Sequence, residues 1–138
     1  MRFWDSSALL PLCLSQPETP RAEAWLRDDA EMVVWWGSVI ECASAFARLR
    51  RQRLLGVDGE ETACDILAEL AGSWYEVQPT MSIQRRVLRF MRVHSLSASD
   101  ASQLAAAVEW AGGAEAARLA TFDPRLQAVA RLEGFAVD

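Results

Sequence analysis

The opening residues, Met1–Leu10 (MRFWDSSALL), place a carboxylate where a short apolar run gives way to a helical pattern. Met1–Trp4 reads as a strand, Asp5 as its C-terminal tip, and Ser6 and Ser7 as the start of the next helix. A strand that hands its chain straight to a helix builds a parallel sheet with crossover connections. In open sheets of that kind, ligands bind at the C-terminal strand tips. What the other tips carry then decides the chemistry.

Glu31–Trp36 (EMVVWW) is a continuous apolar run between charges and Gly37, the pattern of a strand covered on both faces. Trp74–Val77, Arg118–Phe122 and Gly134–Val137 are further strand candidates. Helical patterns separate them at Ser7–Leu14, Pro20–Asp28, Ser38–Leu55, Asp58–Gly72, Met81–His94, Ser97–Gly112 and Pro124–Leu132. In the second of these Ala24 and Trp25 face inward; in the third Val39, Ala43, Phe46, Ala47 and Leu54 do, with Gly56 as its stop. Strands alternating with helices predict an α/β fold with a mainly parallel sheet and helices on both faces. At 138 residues, with no linker or repeat, residues 1–138 read as a single domain.

A net charge of −5 argues at first against a nucleic-acid partner. Were four of the 19 acids metal ligands, however, the rest would nearly balance the 14 bases, every one of which is Arg. Arg suits bidentate contact with phosphate, although a compositional bias of the genome replaces Lys equally well. Cys13, Cys42 and Cys64 are widely spaced within apolar helical patterns, as buried free thiols of a reducing cytoplasm are. Asp5, Pro11 and Ser15 interrupt what could otherwise resemble an export signal, and no apolar run is long enough to span a membrane.

Glu41 (SVIE), Asp100 (SASD) and Asp123 (TFDP) stand, like Asp5, at the starts of helices. Taken singly each fits a cap: Ser38-x-x-Glu41 and Ser97-x-x-Asp100 have capping-box spacing, and Asp before Pro is a good N-cap. Taken together they converge, because helices that follow parallel strands start at one sheet edge. Carboxylates brought together raise one another's pKa, and a divalent cation removes that cost. With no His or Cys nearby, the set suits Mg²⁺ or Mn²⁺ and not zinc.

With these four acids the chain resembles the PIN-domain ribonucleases, in particular the VapC-like toxins of toxin–antitoxin pairs. The resemblance spans the chain and rests on Asp5–Leu9 (DSSAL), Glu41, Leu96–Ala107 (LSASDASQLAAA), Thr121–Asp123 (TFD) and the closing Leu126–Val137. It implies a five-stranded sheet in the order 3-2-1-4-5. It also implies a Mg²⁺ or Mn²⁺ site of Asp5, Asp100 and Asp123, with Glu41 ligating or orienting water and Ser7 and Thr121 in support. The implied activity is metal-dependent endoribonuclease cleavage of RNA. The implied partners are a VapB-like antitoxin and a second copy in a homodimer.

On the helix over 81–94, Arg85, Arg86, Arg89 and Arg92 crowd the face opposite Ile83, Val87, Phe90 and Met91, a pattern suited to an RNA backbone and equally to a solvated face. Arg48, Arg50, Arg51 and Arg53 are spread around their helix, as a solvated surface is. His94, the one histidine, reads as structural. Two other readings remain open at this point: a partner-binding module whose acids are only caps, and an aspartate-based phosphatase or phosphotransferase with Asp5 as nucleophile. Such phosphatases usually place a second Asp where this chain has Ser7.

Overall fold

The computed structural model describes residues 1–114 and 116–138. Its elements run β1 (Arg2–Trp4), α1 (Ser6–Cys13), α2 (Thr19–Asp28), β2 (Met32–Trp35), α3 (Ser38–Arg51), α4 (Val57–Ala71), β3 (Tyr75–Val77), α5 (Met81–Val93), α6 (Ala98–Ala111), β4 (Arg118–Ala120), α7 (Pro124–Leu132) and β5 (Ala136–Val137). The sheet is five-stranded in the order β3-β2-β1-β4-β5, as the resemblance implies, and every pairing is parallel. After β1 the chain winds outward through β2 and β3, then returns to lay β4 on the other side of β1. The strand order therefore reverses between β1 and β4, where a crevice opens above the strand tips.

The apolar runs divide between two cores because successive strand residues face opposite ways. Phe3, Val33, Trp35 and Leu119 pack with Ile83, Phe90, Leu104 and Leu126 of α5, α6 and α7. Trp4, Met32, Val34 and Ala120 pack with Leu9, Trp25, Phe46 and Leu67 of α1–α4. Trp25 joins this second core edge-on to Trp4 at 6.1 Å and stacks on Phe122 at 4.6 Å. Both faces of the sheet are thus covered, and continuous hydrophobic strands follow.

Several local expectations are corrected. Helix α3 ends at Arg51, short of Leu55, because the chain turns through Arg53 at φ 58°. Leu54 is consequently exposed, and Gly56 caps the start of α4 instead of stopping α3. The inner face of α3 is Cys42, Ala45 and Phe46, leaving Ala43 in solvent and Ala47 half-buried; in α2 it is Ala22 and Trp25, with Ala24 exposed. Cys13 and Cys42 are buried as expected, whereas Cys64 is exposed on α4. Ser38 does not cap α3: it is fully buried, and its hydroxyl turns toward Gln103. Helix α5 buries Ile83 and Phe90 as its pattern predicts, opposite an exposed Arg face. No helix among the described residues is long and apolar enough to cross a membrane.

Candidate active site

Asp5, Glu41, Asp100 and Asp123 line one open cleft of about 570 Å³. Each arrives on a different element. Asp5 ends β1 and caps α1, accepting the amide of Ser7, the Ser7 hydroxyl at 3.1 Å and the Thr121 hydroxyl at 2.5 Å. Asp123 follows β4 and caps α7 through the amides of Arg125 at 2.7 Å and Leu126 at 3.2 Å. Its own amide donates to Thr121 Oγ1 at 3.0 Å. Ser7 Oγ accepts the Phe122 amide at 2.8 Å and lies 3.2 Å from Thr121 Oγ1. Ser7 and Thr121 therefore fasten the tip of β1 to the tip of β4.

Glu41 and Asp100 behave differently. Helix α6 is capped by Ser97, whose hydroxyl oxygen accepts the Asp100 amide at 3.1 Å. The Asp100 carboxylate itself has no hydrogen-bond or salt-bridge partner among the described residues. Glu41 takes the hydroxyl of Ser6 and the amide of Gln103 (3.1 Å), and it caps nothing. So the capping alternative accounts for Asp5 and Asp123 and leaves Glu41 and Asp100 without that role.

The electrostatics follow from burial. Asp5 is 3% exposed, and loss of water pushes its pKa up to about 6. Hydrogen bonds from Thr121 and Ser7 pull it back, while the charge of Glu41 adds to the rise. Among the described residues none of the four acids forms a salt bridge, and no three His, Cys, Asp or Glu side chains stand close enough to enclose an ion. The donor set nevertheless fits a hard divalent cation: four carboxylates and hydroxyls in an open cleft, with no His or Cys among the described residues that line it.

The remaining expected site residues lie elsewhere. Arg85, Arg89 and Arg92 sit on the outer face of α5, outside the acidic cleft, and Arg86 pairs with Glu109 at 3.4 Å. His94 ends α5 with Nε2 2.8 Å from Glu133 Oε1, also away from the cleft. Three cleft residues escape the sequence reading. Gln103, 2% exposed, donates to Ser6 Oγ at 2.7 Å, Ser38 Oγ at 2.9 Å and Glu41. Ser6 binds Glu41, and Arg48 stands at the wall. Helical spacing could have pointed to two of them: Gln103 is one turn after Asp100, and Arg48 is two turns after Glu41.

No family model and no curated protein matches this sequence. Solved structures do match, over nearly the whole chain. VapC20 of Mycobacterium tuberculosis, described as a sarcin-ricin loop cleaving toxin, superposes with a TM-score of 0.71 at 18% identity, covering 99% of this chain and 97% of that one. This is the PIN fold of the VapC-like toxins. Two further structural neighbours are PAE2754 of Pyrobaculum aerophilum (TM-score 0.67, 23% identity, 99% and 87% covered) and FitAcB of Neisseria gonorrhoeae (0.66, 20%, 99% and 96%). At these identities the likeness establishes the fold alone.

Proposed function

We propose that this chain is a metal-dependent endoribonuclease, a VapC-like toxin that acts in the cytoplasm and is silenced by a VapB-like antitoxin. One observation carries the reading: four carboxylates from four elements share a cleft at the switch point of a parallel sheet, and none of them forms a salt bridge among the described residues. The RNA-cleaving description of VapC20, which shares the fold, supports the same direction.

On this reading Asp5, Asp100 and Asp123 hold Mg²⁺ or Mn²⁺, and Glu41 ligates it or orients water. Held there, such an ion would supply a lowered pKa for bound water and neutralisation of charge growing on the phosphate. Ser7 and Thr121 fix the Asp5 carboxylate, and Ser6 and Gln103 fix Glu41. Attack by water on phosphorus makes no use of the RNA 2′-hydroxyl; with the P–O3′ bond broken and O3′ leaving as a hydroxyl, it yields a 5′-phosphate and a 3′-hydroxyl. The Arg85, Arg89 and Arg92 face tracks RNA backbone beyond the cleft, with Arg86 at its margin, and the working form is a homodimer. A phosphatase reading fares worse, since Ser7 stands where such phosphatases usually place a second Asp.

Cleavage of total cellular RNA with Mn²⁺, Mg²⁺ or EDTA tests the proposal. Discrete metal-dependent cuts are expected, reduced about 10²-fold or more in Asp100→Asn. That variant should fold normally, because the Asp100 side chain holds nothing in place. No cleavage together with no stabilisation by Mn²⁺ would return the acids to structural roles.

A further inference from the structure

We infer that Arg48 is the phosphate-binding side chain of the acidic cleft, an assignment that rests on the nuclease reading above. Arg48 is the one basic residue among the described side chains that line this cleft. It shares the face of α3 that carries Glu41 and Ser44 to the same wall, at spacings of one and two turns. The separation from Glu41 along the helix axis is about 10 Å. Arg48 therefore meets a phosphate beside the one under attack, not the reacting group itself.

Its place in the cleft distinguishes it: Arg51, Arg53, Arg89, Arg92 and Arg131 are also without a salt-bridge or hydrogen-bond partner among the described residues, but they do not line the cleft. Arg50 pairs with Glu60, Arg86 with Glu109, and Arg118 with Asp28 and Asp138. Arg48 is an exposed residue, and among the described residues its guanidinium has no salt-bridge or hydrogen-bond partner. An arginine without a side-chain partner among the described residues thus shares the cleft with carboxylates that repel any approaching phosphodiester. A guanidinium offers that phosphodiester a planar, bidentate donor pair, which a carboxylate cleft otherwise lacks. The Arg face of α5 is a separate surface and does not supply this contact.

The test is the rate of Mn²⁺-dependent cleavage of total cellular RNA, measured against RNA concentration and salt, for the wild type, Arg48→Ala, Arg48→Lys and Arg51→Ala. Arg51 is exposed on the same helix but outside the cleft, and it serves as the control. Arg48→Ala should raise the RNA concentration for half-maximal rate about tenfold and leave the maximal rate within about twofold. The slope of log affinity against log salt should fall in magnitude by about one, with partial recovery in Arg48→Lys. Wild-type values in Arg48→Ala, or a loss confined to the maximal rate, would overturn the assignment while leaving the nuclease reading intact. Absence of metal-dependent cleavage by the wild type would remove the nuclease reading, and the assignment with it.

Discussion

Strand β1 has a buried charge at each end, and the two are treated in opposite ways. Arg2, fully buried, donates to Trp25 O at 2.7 Å and Asp28 at 2.9 Å, and its Nε lies 2.8 Å from Asp138 Oδ2. The last contact is charge against charge without hydrogen-bond alignment. Arg118 closes the network by binding both Asp28 and Asp138, and these guanidinium groups, Arg118 first, hold the Asp28 carboxyl below its usual range. Three residues along, Asp5 is almost as deeply buried, yet it meets hydroxyls, amides and the charge of Glu41. One end of the strand is electrostatically closed by the chain itself. The other is left open, and an open buried charge is what a ligand site retains at a cost in stability.

Breaking the closed end has the largest predicted effect on stability. Arg2→Met strands Asp138 and Asp28 with Arg118 alone and should cost about 3 kcal/mol in urea unfolding, with cleavage per folded molecule unchanged. An unaltered unfolding midpoint would show that the network is not structural.

Removing the open charge should act in the other direction. The Asp5 pKa rises on folding from 3.8 to about 6, so the folded state binds more protons across that window and loses stability as pH rises through it. Metal-free Asp5→Asn should therefore be more stable than wild type at pH 7.5, by up to about 3 kcal/mol. The gain should shrink as pH falls below 6 and vanish below 3.8, where both forms of the protein are uncharged at this position. Destabilisation at pH 7.5 would mean that the hydroxyl and amide contacts to Asp5 outweigh its desolvation.

The smallest effect separates the acidic cleft from the Arg face of α5. Arg89→Ala should weaken RNA binding only about two- to threefold and leave the maximal cleavage rate unchanged. A loss as large as that of an acid variant would place α5 inside the active centre.

How much of this was legible in the sequence follows the same division. The sheet could be read because its strands are buried on both faces, so EMVVWW and the residues before Asp5 stand out as unbroken apolar runs. Asp5, Glu41 and Asp123 could be read because α1, α3 and α7 follow parallel strands and start at one edge, whereas α6 follows α5, so that Asp100 rested on the resemblance. The end of α3 could not, because Arg53 turns the chain in a conformation that nothing in its side chain announces. Gln103 stayed hidden inside an alanine-rich helix, where a buried amide looks like any surface polar residue until its partners Ser6, Ser38 and Glu41 are folded against it. Cys64 was misplaced because it stands one residue, about 100° around α4, from Ala63, which faces the core with Leu67.

The most direct measurement is thermal unfolding against Mn²⁺ concentration for the wild type, Asp100→Asn and Arg2→Met. The account predicts a progressive rise in the wild type, equivalent to about 2.7 kcal/mol when Mn²⁺ reaches a hundredfold excess over its dissociation constant. Arg2→Met should start lower and show the same rise, while Asp100→Asn should start near the wild type and show little of it. No rise in the wild type, or an equal rise in Asp100→Asn, would contradict the claim that the open end of β1 is built for a cation.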